Sequence, residues 1–243
     1  MREEAPRGFV HSIQSLATLD GPGIRYAVFL QGCPLRCGCC HNPDTWDTVN
    51  GTLYTADELV ENALRYRDYF GDMGGVTLSG GEPLCQARFS KVFFKGAKAA
   101  GLNTCLDTSG CLLNGEVKSL LSVTDRVLLD IKYPTDALYR EYVGCGIDAP
   151  LAFLSYLAEK KLKTTLRSVI IPTLNDTKGH EEFLSSLVAA HSCIDTVELL
   201  PFRKICTVKY EKMGLPFRFA DIREPHPLMV REMQERVQSK LKR

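Results

Sequence analysis

Short apolar runs alternate along this chain with longer stretches in which apolar side chains recur every three or four residues. The runs predict strands, and the longer stretches predict helices that bury one face. Strands are predicted over 24–31, 75–79, 103–107, 125–132, 164–171 and 196–200. Helices are predicted over 57–70, 87–100, 115–122, 151–161, 178–190 and 224–242. Thr55 and Glu58 fit a capping box at the start of the first helix, and the segment from Pro201 to Pro227 is predicted as a long loop. About six successive β–α units favour an α/β fold in which helices lie outside a parallel sheet.

Length and composition indicate one domain that spans residues 1–243. The chain is 44% hydrophobic, which suffices for one large core. Its net charge of +1 gives no overall attraction to nucleic acid or anionic lipid, so neither is expected as a partner. The N-terminus lacks the apolar segment of a signal peptide, and no run of 18 apolar residues is present. We therefore expect a cytoplasmic protein.

Three of the ten cysteines have the spacing of a metal-binding motif. Cys33, Cys37 and Cys40 form C-x3-C-x2-C directly after the first predicted strand. Soft thiolates at this spacing suit an iron–sulfur cluster or zinc. Structural zinc requires four ligands, and no second C-x-x-C pair follows, which disfavours the zinc alternative. Three thiolates on a four-iron cluster leave one iron open to a small molecule. A non-enzymatic electron carrier would also bind a cluster, but it would need neither the GGEP nor the D-x-K sequence that follows in this chain.

A glycine pair and a carboxylate follow the second predicted strand in the sequence SGGEP. Gly80 and Gly81 allow a close approach of the backbone to a ligand, and Glu82 can accept hydrogen bonds from an ammonium group. Alone, this sequence is equally compatible with an ordinary turn.

Charged residues also mark the fourth and fifth predicted strands. Asp130, Ile131 and Lys132 end the fourth strand, where charge is rarely buried without a partner. A salt bridge between the two charged residues is the structural alternative to ligand binding. Arg167, in the fifth strand, could hold a ligand carboxylate or form a structural ion pair.

Together these motifs resemble the radical S-adenosylmethionine (SAM) enzymes that activate glycyl radical enzymes. The resemblance runs nearly end to end through the segments TLDGPGIR, GCPLRCGCCHNPDTWD, SGGEP, CLDTSG, LLDIK, LRSVIIPTLND and ELLPF. It implies an incomplete parallel (β/α)6 barrel of the radical SAM type and a cytoplasmic, oxygen-sensitive oxidoreductase of anaerobic metabolism. It also implies a [4Fe-4S] cluster on Cys33, Cys37 and Cys40 and reductive cleavage of SAM to a 5′-deoxyadenosyl radical, which takes a hydrogen atom from a glycine of a protein substrate.

The resemblance also implies roles for individual residues. Asp20 is placed in the catalytic set, in a loop where the partner docks, and a monovalent cation is expected at Asp107 and Thr108, near Asp130. Cofactor contacts are expected from Cys39, Cys40, His41, Gly80, Gly81, Glu82, Asp130, Ile131, Lys132, Arg167 and Arg203.

Two positions depart from the family pattern. Cys39 stands where an aromatic residue is usual, so it competes with Cys40 as a ligand. We assign Cys40, because it keeps the family spacing and precedes His41. Arg203 stands where better-known members have histidine. The basic stretch that begins there either docks a partner or is a solvated loop, and it comprises Arg203, Lys204, Lys209, Lys212 and Arg218.

The cysteine distribution narrows the choice of protein substrate. No cysteine lies between Cys40 and Cys85, so the ferredoxin-like module that many related activases insert there is absent. The chain is also longer than activases of anaerobic ribonucleotide reductase. Both observations favour pyruvate formate-lyase as the substrate, with a flavodoxin- or ferredoxin-type protein as electron donor. Another glycyl radical enzyme, or a small molecule, is the alternative substrate.

Overall fold

Strands and helices alternate through most of residues 5–241, the part of the chain that this computed structural model describes. The strands are β1 Gly8–Ala17, β2 Arg25–Leu30, β3 Thr52–Tyr54, β4 Gly75–Gly80, β5 Asn103–Thr108, β6 Arg126–Asp130, β7 Lys163–Ile170 and β8 Ile194–Pro201. The helices are α1 Ala56–Leu64, α2 Arg67–Phe70, α3 Ala87–Ala99, α4 Gly115–Leu121, α5 Asp136–Tyr142, α6 Asp148–Glu159, α7 Lys178–Ala190, α8 Thr207–Lys212 and α9 Pro227–Gln238.

The strands form one mostly parallel sheet in the order β3-β1-β2-β4-β5-β6-β7-β8. Pairing is parallel between β2 and β4, β4 and β5, and β7 and β8. Strand β1 pairs antiparallel with both β2 and β3, which puts an antiparallel edge on the sheet. The order begins at β3 and ends at β8 without closing, so the predicted α/β class with an incomplete barrel is confirmed.

Two compact units divide the chain. The first comprises residues up to Pro34, Thr45–Thr108 and Leu112–Leu128. The second comprises Leu35–Asp44, Ser109–Cys111 and the chain from Leu129 onward. Since the chain passes repeatedly from one unit to the other, neither is a separate stretch of sequence. The single-domain interpretation of residues 1–243 stays a prediction.

A fully buried arginine joins three strands of the first unit. The guanidinium of Arg25, the first residue of β2, donates to the hydroxyl of Thr77 at 2.9 Å and to the Asn103 side chain at 3.0 Å. It also donates to the backbone carbonyls of Met73 at 3.1 Å and Val76 at 2.5 Å. A buried charge is tolerated only when its polar atoms are satisfied. Arg25 meets this condition by connecting β2 to the beginnings of β4 and β5.

The helix predicted over 57–70 is two helices. Its predicted capping box is confirmed, because the Thr55 side chain accepts from the Glu58 backbone and the Glu58 carboxylate accepts from Thr55. Helix α1 ends at Leu64, however. The Tyr66 N–H bonds to the Ala63 carbonyl three residues back, a tighter turn that ends the α-helical ladder before α2 begins.

Other boundaries differ at the ends of elements. The predicted terminal helix begins only at Pro227, where the His226 side chain accepts from the Leu228 backbone, and it ends at Gln238. Its predicted end, Lys242, lies outside the described residues. Strands β1 and β3 and helices α5 and α8 were not predicted. No helix within residues 5–241 has both the length and the apolar character needed to cross a membrane.

Aromatic contacts organise the segment from Pro201 to Pro227 in the second unit, which the sequence predicts as one long loop. The segment contains α8, whose Tyr210 ring lies 4.9 Å from that of Phe217. Phe202 contacts Phe219 edge to face at 6.0 Å, and Phe219 lies 5.5 Å from Tyr142. Such pairs contribute about 0.5–1.5 kcal/mol each beyond burial, so this segment is packed rather than loose.

Replacing Arg25 tests whether its buried hydrogen bonds hold the first unit together. Arg25→Met should lower the free energy of unfolding by about 3–5 kcal/mol, because the carbonyls it satisfies would stay buried without donors. Anaerobic chemical denaturation measures this. The control is Arg88→Met, whose ion pair with Glu116 spans 3.7 Å between largely exposed side chains and should change stability by less than about 1 kcal/mol. Equally small effects in both variants would contradict the structural role of Arg25.

Candidate cofactor-binding site

The cysteine motif follows β2, and its first part belongs to the first unit. Gly32 has a φ of +97°, in the left-handed region that favours glycine. Its N–H donates to the Thr45 carbonyl at 2.8 Å, and the Cys33 N–H lies 3.4 Å from the Trp46 carbonyl. These bonds hold the chain that leads into the motif against the residues that follow it.

The rest of the motif belongs to the second unit and rests on the end of α5. The Arg36 N–H donates to the Val143 carbonyl at 3.0 Å, and the Gly38 N–H donates to the Tyr142 carbonyl at 2.8 Å. A Cβ atom at position 38 would lie 2.5 Å from the Phe219 ring, so only glycine fits here. The path between Cys37 and Cys39 is therefore fixed by packing as well as by hydrogen bonds.

The thiols of the motif differ in exposure. None of the four cysteines forms a disulfide; Cys33, Cys37 and Cys40 are partly exposed, whereas Cys39 is only 7% exposed. Burial raises the pKa of the Cys39 thiol, although Lys132 opposes the shift. A thiolate ligand is disfavoured there, which supports the choice of Cys40.

Soft thiols that are not in disulfides, at this spacing, fit an iron–sulfur cluster by their chemistry. Within residues 5–241, no three His, Cys, Asp or Glu side chains are already gathered as a metal site. The convergence of the three thiols on one cluster therefore stays a prediction.

The glycine pair after β4 allows a close backbone approach. Added Cβ atoms would lie 2.5 Å from the Leu30 nitrogen at Gly80 and 2.3 Å from the Gly32 oxygen at Gly81. The Glu82 N–H then donates to the Gly32 carbonyl at 2.8 Å. The glycines thus bring the end of β4 against the start of the cysteine motif, and their predicted contact with a ligand is untested.

Carboxylates and hydroxyls of the first unit meet where β4 and β5 end. The Thr108 hydroxyl donates to the Glu82 carboxylate at 2.6 Å, and the Ser79 hydroxyl donates to the Asp107 carboxylate at 2.8 Å. The Leu84 N–H donates to Glu82 at 3.1 Å. The predicted cation ligands are therefore tied to the SGGEP segment. Sequence reasoning assigned no role to Ser79, although its position at the end of a strand beside Asp107 could have indicated one.

The second unit carries the charged pair at the end of β6. The Lys132 ammonium donates to the Asp130 carboxylate at 2.6 Å, so the salt bridge considered as an alternative is present. Burial alone would lower the pKa of Lys132, but attraction to Asp130, Cys37 and Cys39 raises it well above its usual value. Lys132 is therefore a fixed cation in the same unit as these two cysteines.

Two arginines expected at the cofactor have acidic partners in the second unit. Arg167 Nε lies 3.0 Å from a carboxylate oxygen of Glu198, and the two side chains are 8% and 36% exposed. Arg167 therefore forms the ion pair that was considered as the structural alternative. Arg203 donates to Glu224 at 2.7 Å, while its backbone carbonyl accepts from His41 Nε2 at 3.0 Å. Burial lowers the pKa of His41, which favours the neutral ring. Through its backbone, Arg203 thus supports His41.

The Asp20 loop is anchored through its backbone in the first unit. The Asp20 carbonyl accepts from the Thr77 hydroxyl at 2.7 Å, and Thr77 in turn accepts from Arg25. Leu19 beside it is 78% exposed. The buried Arg25 network therefore supports a loop that presents an apolar side chain to solvent.

Much of the basic stretch after β8 forms pairs within the second unit. Lys209 donates to Asn42 at 2.8 Å and to Asp44 at 3.0 Å, so it braces the segment that follows Cys40. Arg218 pairs with Glu141 at 3.1 Å. These contacts give the stretch an internal role, and its docking role stays a prediction.

Comparison with known sequences gives one consistent result. The profile of the radical SAM superfamily matches residues 27–184. The pyruvate formate-lyase-activating enzyme of Clostridium pasteurianum is 42% identical over 216 residues, which cover 88% of this chain and 90% of that protein. Pyruvate formate-lyase 1-activating enzyme of Escherichia coli K12 is 37% identical over 233 residues, which cover 95% of this chain and 93% of that protein.

Solved structures agree on the fold. Streptococcus suis SuiB bound to the precursor peptide SuiA aligns with a TM-score of 0.69 and 16% identity, over 93% of this chain and 46% of that chain. A domain of pyruvate-formate lyase-activating enzyme from Bacteroides vulgatus aligns with a TM-score of 0.57 and 17% identity, over 69% of this chain and 94% of that chain. At these identities the likeness concerns the fold alone.

The exposure difference within the motif yields a direct test. Anaerobic reconstitution of the unaltered protein should give about four irons per chain. Cys40→Ala should abolish stable iron binding because it removes a ligand, whereas Cys39→Ala should retain it because it removes only a buried thiol. Iron content and the visible spectrum report the outcome. Loss of iron in Cys39→Ala with retention in Cys40→Ala would reverse the ligand assignment.

Proposed function

This chain belongs to the radical SAM superfamily, among the pyruvate formate-lyase-activating enzymes, and on that basis we propose that it installs a glycyl radical on pyruvate formate-lyase. The observation that carries the proposal is the 42% identity to the Clostridium pasteurianum enzyme over 88% of this chain. The match includes both units rather than the cysteine motif alone. We further propose that residues 1–243 act as one radical SAM domain.

We propose that Cys33, Cys37 and Cys40 hold the [4Fe-4S] cluster of this superfamily. Bound at these cysteines, a reduced cluster would supply the electron for reductive cleavage of SAM, the source of the radical that would take a hydrogen atom from a glycine of the protein substrate. The chain's own contribution is support of the motif. Gly38 is held by the Tyr142 carbonyl, and Tyr210 donates to the Cys40 carbonyl at 3.3 Å.

We propose roles in SAM binding for individual groups of the family motifs. Glu82 of the first unit supplies a carboxylate for the methionine ammonium group, and its hydrogen bond from Thr108 fixes the orientation of that carboxylate. In the second unit, Asp130 and Lys132 supply paired charges that burial keeps in place. Further contacts are proposed for Cys39, Cys40, His41, Gly80, Gly81, Ile131, Arg167 and Arg203.

The remaining roles follow from the same family membership. We propose a monovalent cation at Asp107 and Thr108, whose side chains are held by Ser79 and Glu82. We propose that Asp20 is a catalytic residue and lies in the loop where the protein substrate docks. A flavodoxin- or ferredoxin-type protein is proposed as electron donor and the cytoplasm as the location.

The proposed activity is tested by mixing reduced, iron-loaded protein with SAM and pyruvate formate-lyase without oxygen. We expect a glycine-centred doublet in the electron paramagnetic resonance spectrum and one 5′-deoxyadenosine per radical. A radical on another glycyl radical enzyme, with none on pyruvate formate-lyase, would preserve the chemistry but change the partner. Alteration of a small molecule without any protein radical would refute the activase function.

A nearly isosteric change at Glu82 that removes its charge tests SAM binding while keeping the local hydrogen bonds. Glu82→Gln keeps an oxygen that can accept from Thr108 and Leu84 but loses the negative charge. SAM affinity should fall about tenfold or more, because a charge-assisted hydrogen bond contributes roughly 1.5–3 kcal/mol. Equilibrium binding to the iron-loaded protein measures this, and iron content should not change. The matched control is Glu116→Gln, an exposed residue of α4. Equal affinity in both variants would remove Glu82 from the SAM site.

A further inference from the structure

A partly open pocket of the first unit lies between β1, β2 and the end of α1. It encloses about 220 Å³ and is lined by Ile13, Ser15, Tyr26, Asn62, Arg65 and Tyr66. None of these residues belongs to the sequence motifs that indicate the radical SAM family. The pocket therefore has no part in the function proposed above.

The pocket forms where α1 ends over the two strands. Helix α1 stops at Leu64, and the Tyr66 N–H bonds to the Ala63 carbonyl in a tighter turn, which takes Tyr66 out of the α-helical ladder. In the sheet, Ile13 of β1 is paired with Val28 of β2. Since side chains alternate along a strand, Ile13 and Tyr26 lie on the same face of the sheet, below the end of α1.

Tyr26 is the most buried side chain of the lining. It is only 3% exposed, and its ring lies 5.9 Å from the Tyr66 ring. Its hydroxyl forms no hydrogen bond to any described residue, yet it remains accessible, unlike the Tyr133 hydroxyl. Burial, assisted by Tyr54 and Tyr66, raises the pKa of Tyr26 to about 12, so the hydroxyl keeps its proton and can donate. A nearly buried donor without a protein partner thus lines the pocket.

The other polar side chains of the lining are also left for an outside partner. Within residues 5–241, the side chains of Ser15, Asn62 and Arg65 form no hydrogen bond or ion pair. Arg65 is the one charged group among the lining residues, and it is close enough to Tyr26 to oppose the rise of the tyrosine pKa. A guanidinium has paired donors that match the two oxygens of a carboxylate. The lining therefore favours an anion, and a carboxylate above all.

The size and the walls of the pocket limit what that anion can be. A water molecule takes about 30 Å³ in the liquid, so the pocket has room for roughly seven waters or a ligand of about seven to nine non-hydrogen atoms. Sites for drug-sized ligands start at about 300 Å³, which makes this pocket too small for SAM or a nucleotide. The rings of Tyr26 and Tyr66, together with Ile13, supply apolar walls that suit a flat apolar body.

We propose that this pocket binds a small organic acid, with its carboxylate held by the Arg65 guanidinium and the Tyr26 hydroxyl and its apolar body against the Tyr26 and Tyr66 rings. The site is independent of the cluster and SAM assignments, because it shares no residue with them. A ligand that binds only the folded protein also stabilises it against unfolding, which gives a second readout besides binding itself.

Benzoate is the probe for this site, because it combines a carboxylate with a flat apolar ring and fits the estimated size. Benzamide is its uncharged counterpart. Calorimetric titration of the anaerobically purified full chain should show one saturable benzoate site, with benzamide weaker by about tenfold or more. Absence of saturable benzoate binding, or equal affinity for benzamide, would overturn the proposal. Displacement of benzoate by an equal concentration of inorganic phosphate would also overturn it, since the site would then bind anions without regard to the organic body.

Two variants test the residues that hold the carboxylate. Arg65→Gln should lower benzoate affinity about tenfold or more, and Tyr26→Phe should lower it about threefold to tenfold, because the first loses a charge-assisted bond and the second a neutral one. In Arg65→Gln, benzoate should no longer raise the midpoint of thermal unfolding. Unchanged affinity in Arg65→Gln would overturn the proposal, and since Arg65 is exposed, this variant decides the question even if Tyr26→Phe fails to fold.

The matched control is Arg88→Gln, which removes a positive charge from another largely exposed arginine of the first unit. Its benzoate affinity should equal that of the unaltered protein, because Arg88 does not line the pocket. Equal losses in Arg88→Gln and Arg65→Gln would overturn the proposal, since they would reflect general attraction to positive charge rather than a built site.

Discussion

A guanidinium without exposed surface must have its N–H groups satisfied, and the first unit meets this condition at Arg25. The three parallel strands that it joins are in register at its level, because Arg25 is paired with Gly75 and Gly75 with Asn103. The register continues to the other end, where Leu30 is paired with Gly80. Hydrogen bonds at one end of the strands therefore determine where the SGGEP segment lies at the other. The same arginine reaches Asp20 through Thr77, so the loop that contains Asp20 depends on it as well.

In the second unit, each of two buried cations forms an ion pair with an acidic side chain. Lys132 and Arg167 are largely buried, while their partners Asp130 and Glu198 keep 24% and 36% of their side-chain surface exposed. The two pairs lie on neighbouring strands, since the Ile131 N–H donates to the Arg167 carbonyl at 2.8 Å. In both pairs the acid is therefore more exposed than the cation. Asp130 and Lys132 form a salt bridge with each other, and the exposed part of Asp130 is still available for the ligand contact proposed above.

Sequence reasoning succeeded where a local pattern decides the structure and failed where distant residues do. The parallel strands and the capping box at Thr55 follow from local periodicity and side-chain chemistry. Strand β1 was not predicted, because register shifts after Val10 and Gln14 interrupt the alternation of buried and exposed side chains along it. Strand β3 has only three residues, which form a strand by pairing with β1. In the site, the motifs indicated which residues to consider. They could not indicate that Arg203 would pair with Glu224, because the two residues are 21 positions apart.

The contact between Gly38 and Phe219 has a consequence for the order in which this protein is made. The aromatic ring that packs against the cysteine motif lies about 180 residues later in the chain. At ribosomal rates of roughly 5–20 residues per second, the motif is synthesised about 10–40 s before its support exists. Nascent chains therefore expose the cysteines without the packing that shapes them. Ordered packing of the motif therefore requires the nearly complete polypeptide, and a truncated chain that ends before Phe219 would retain every cysteine of the motif yet lack the surface that orders it.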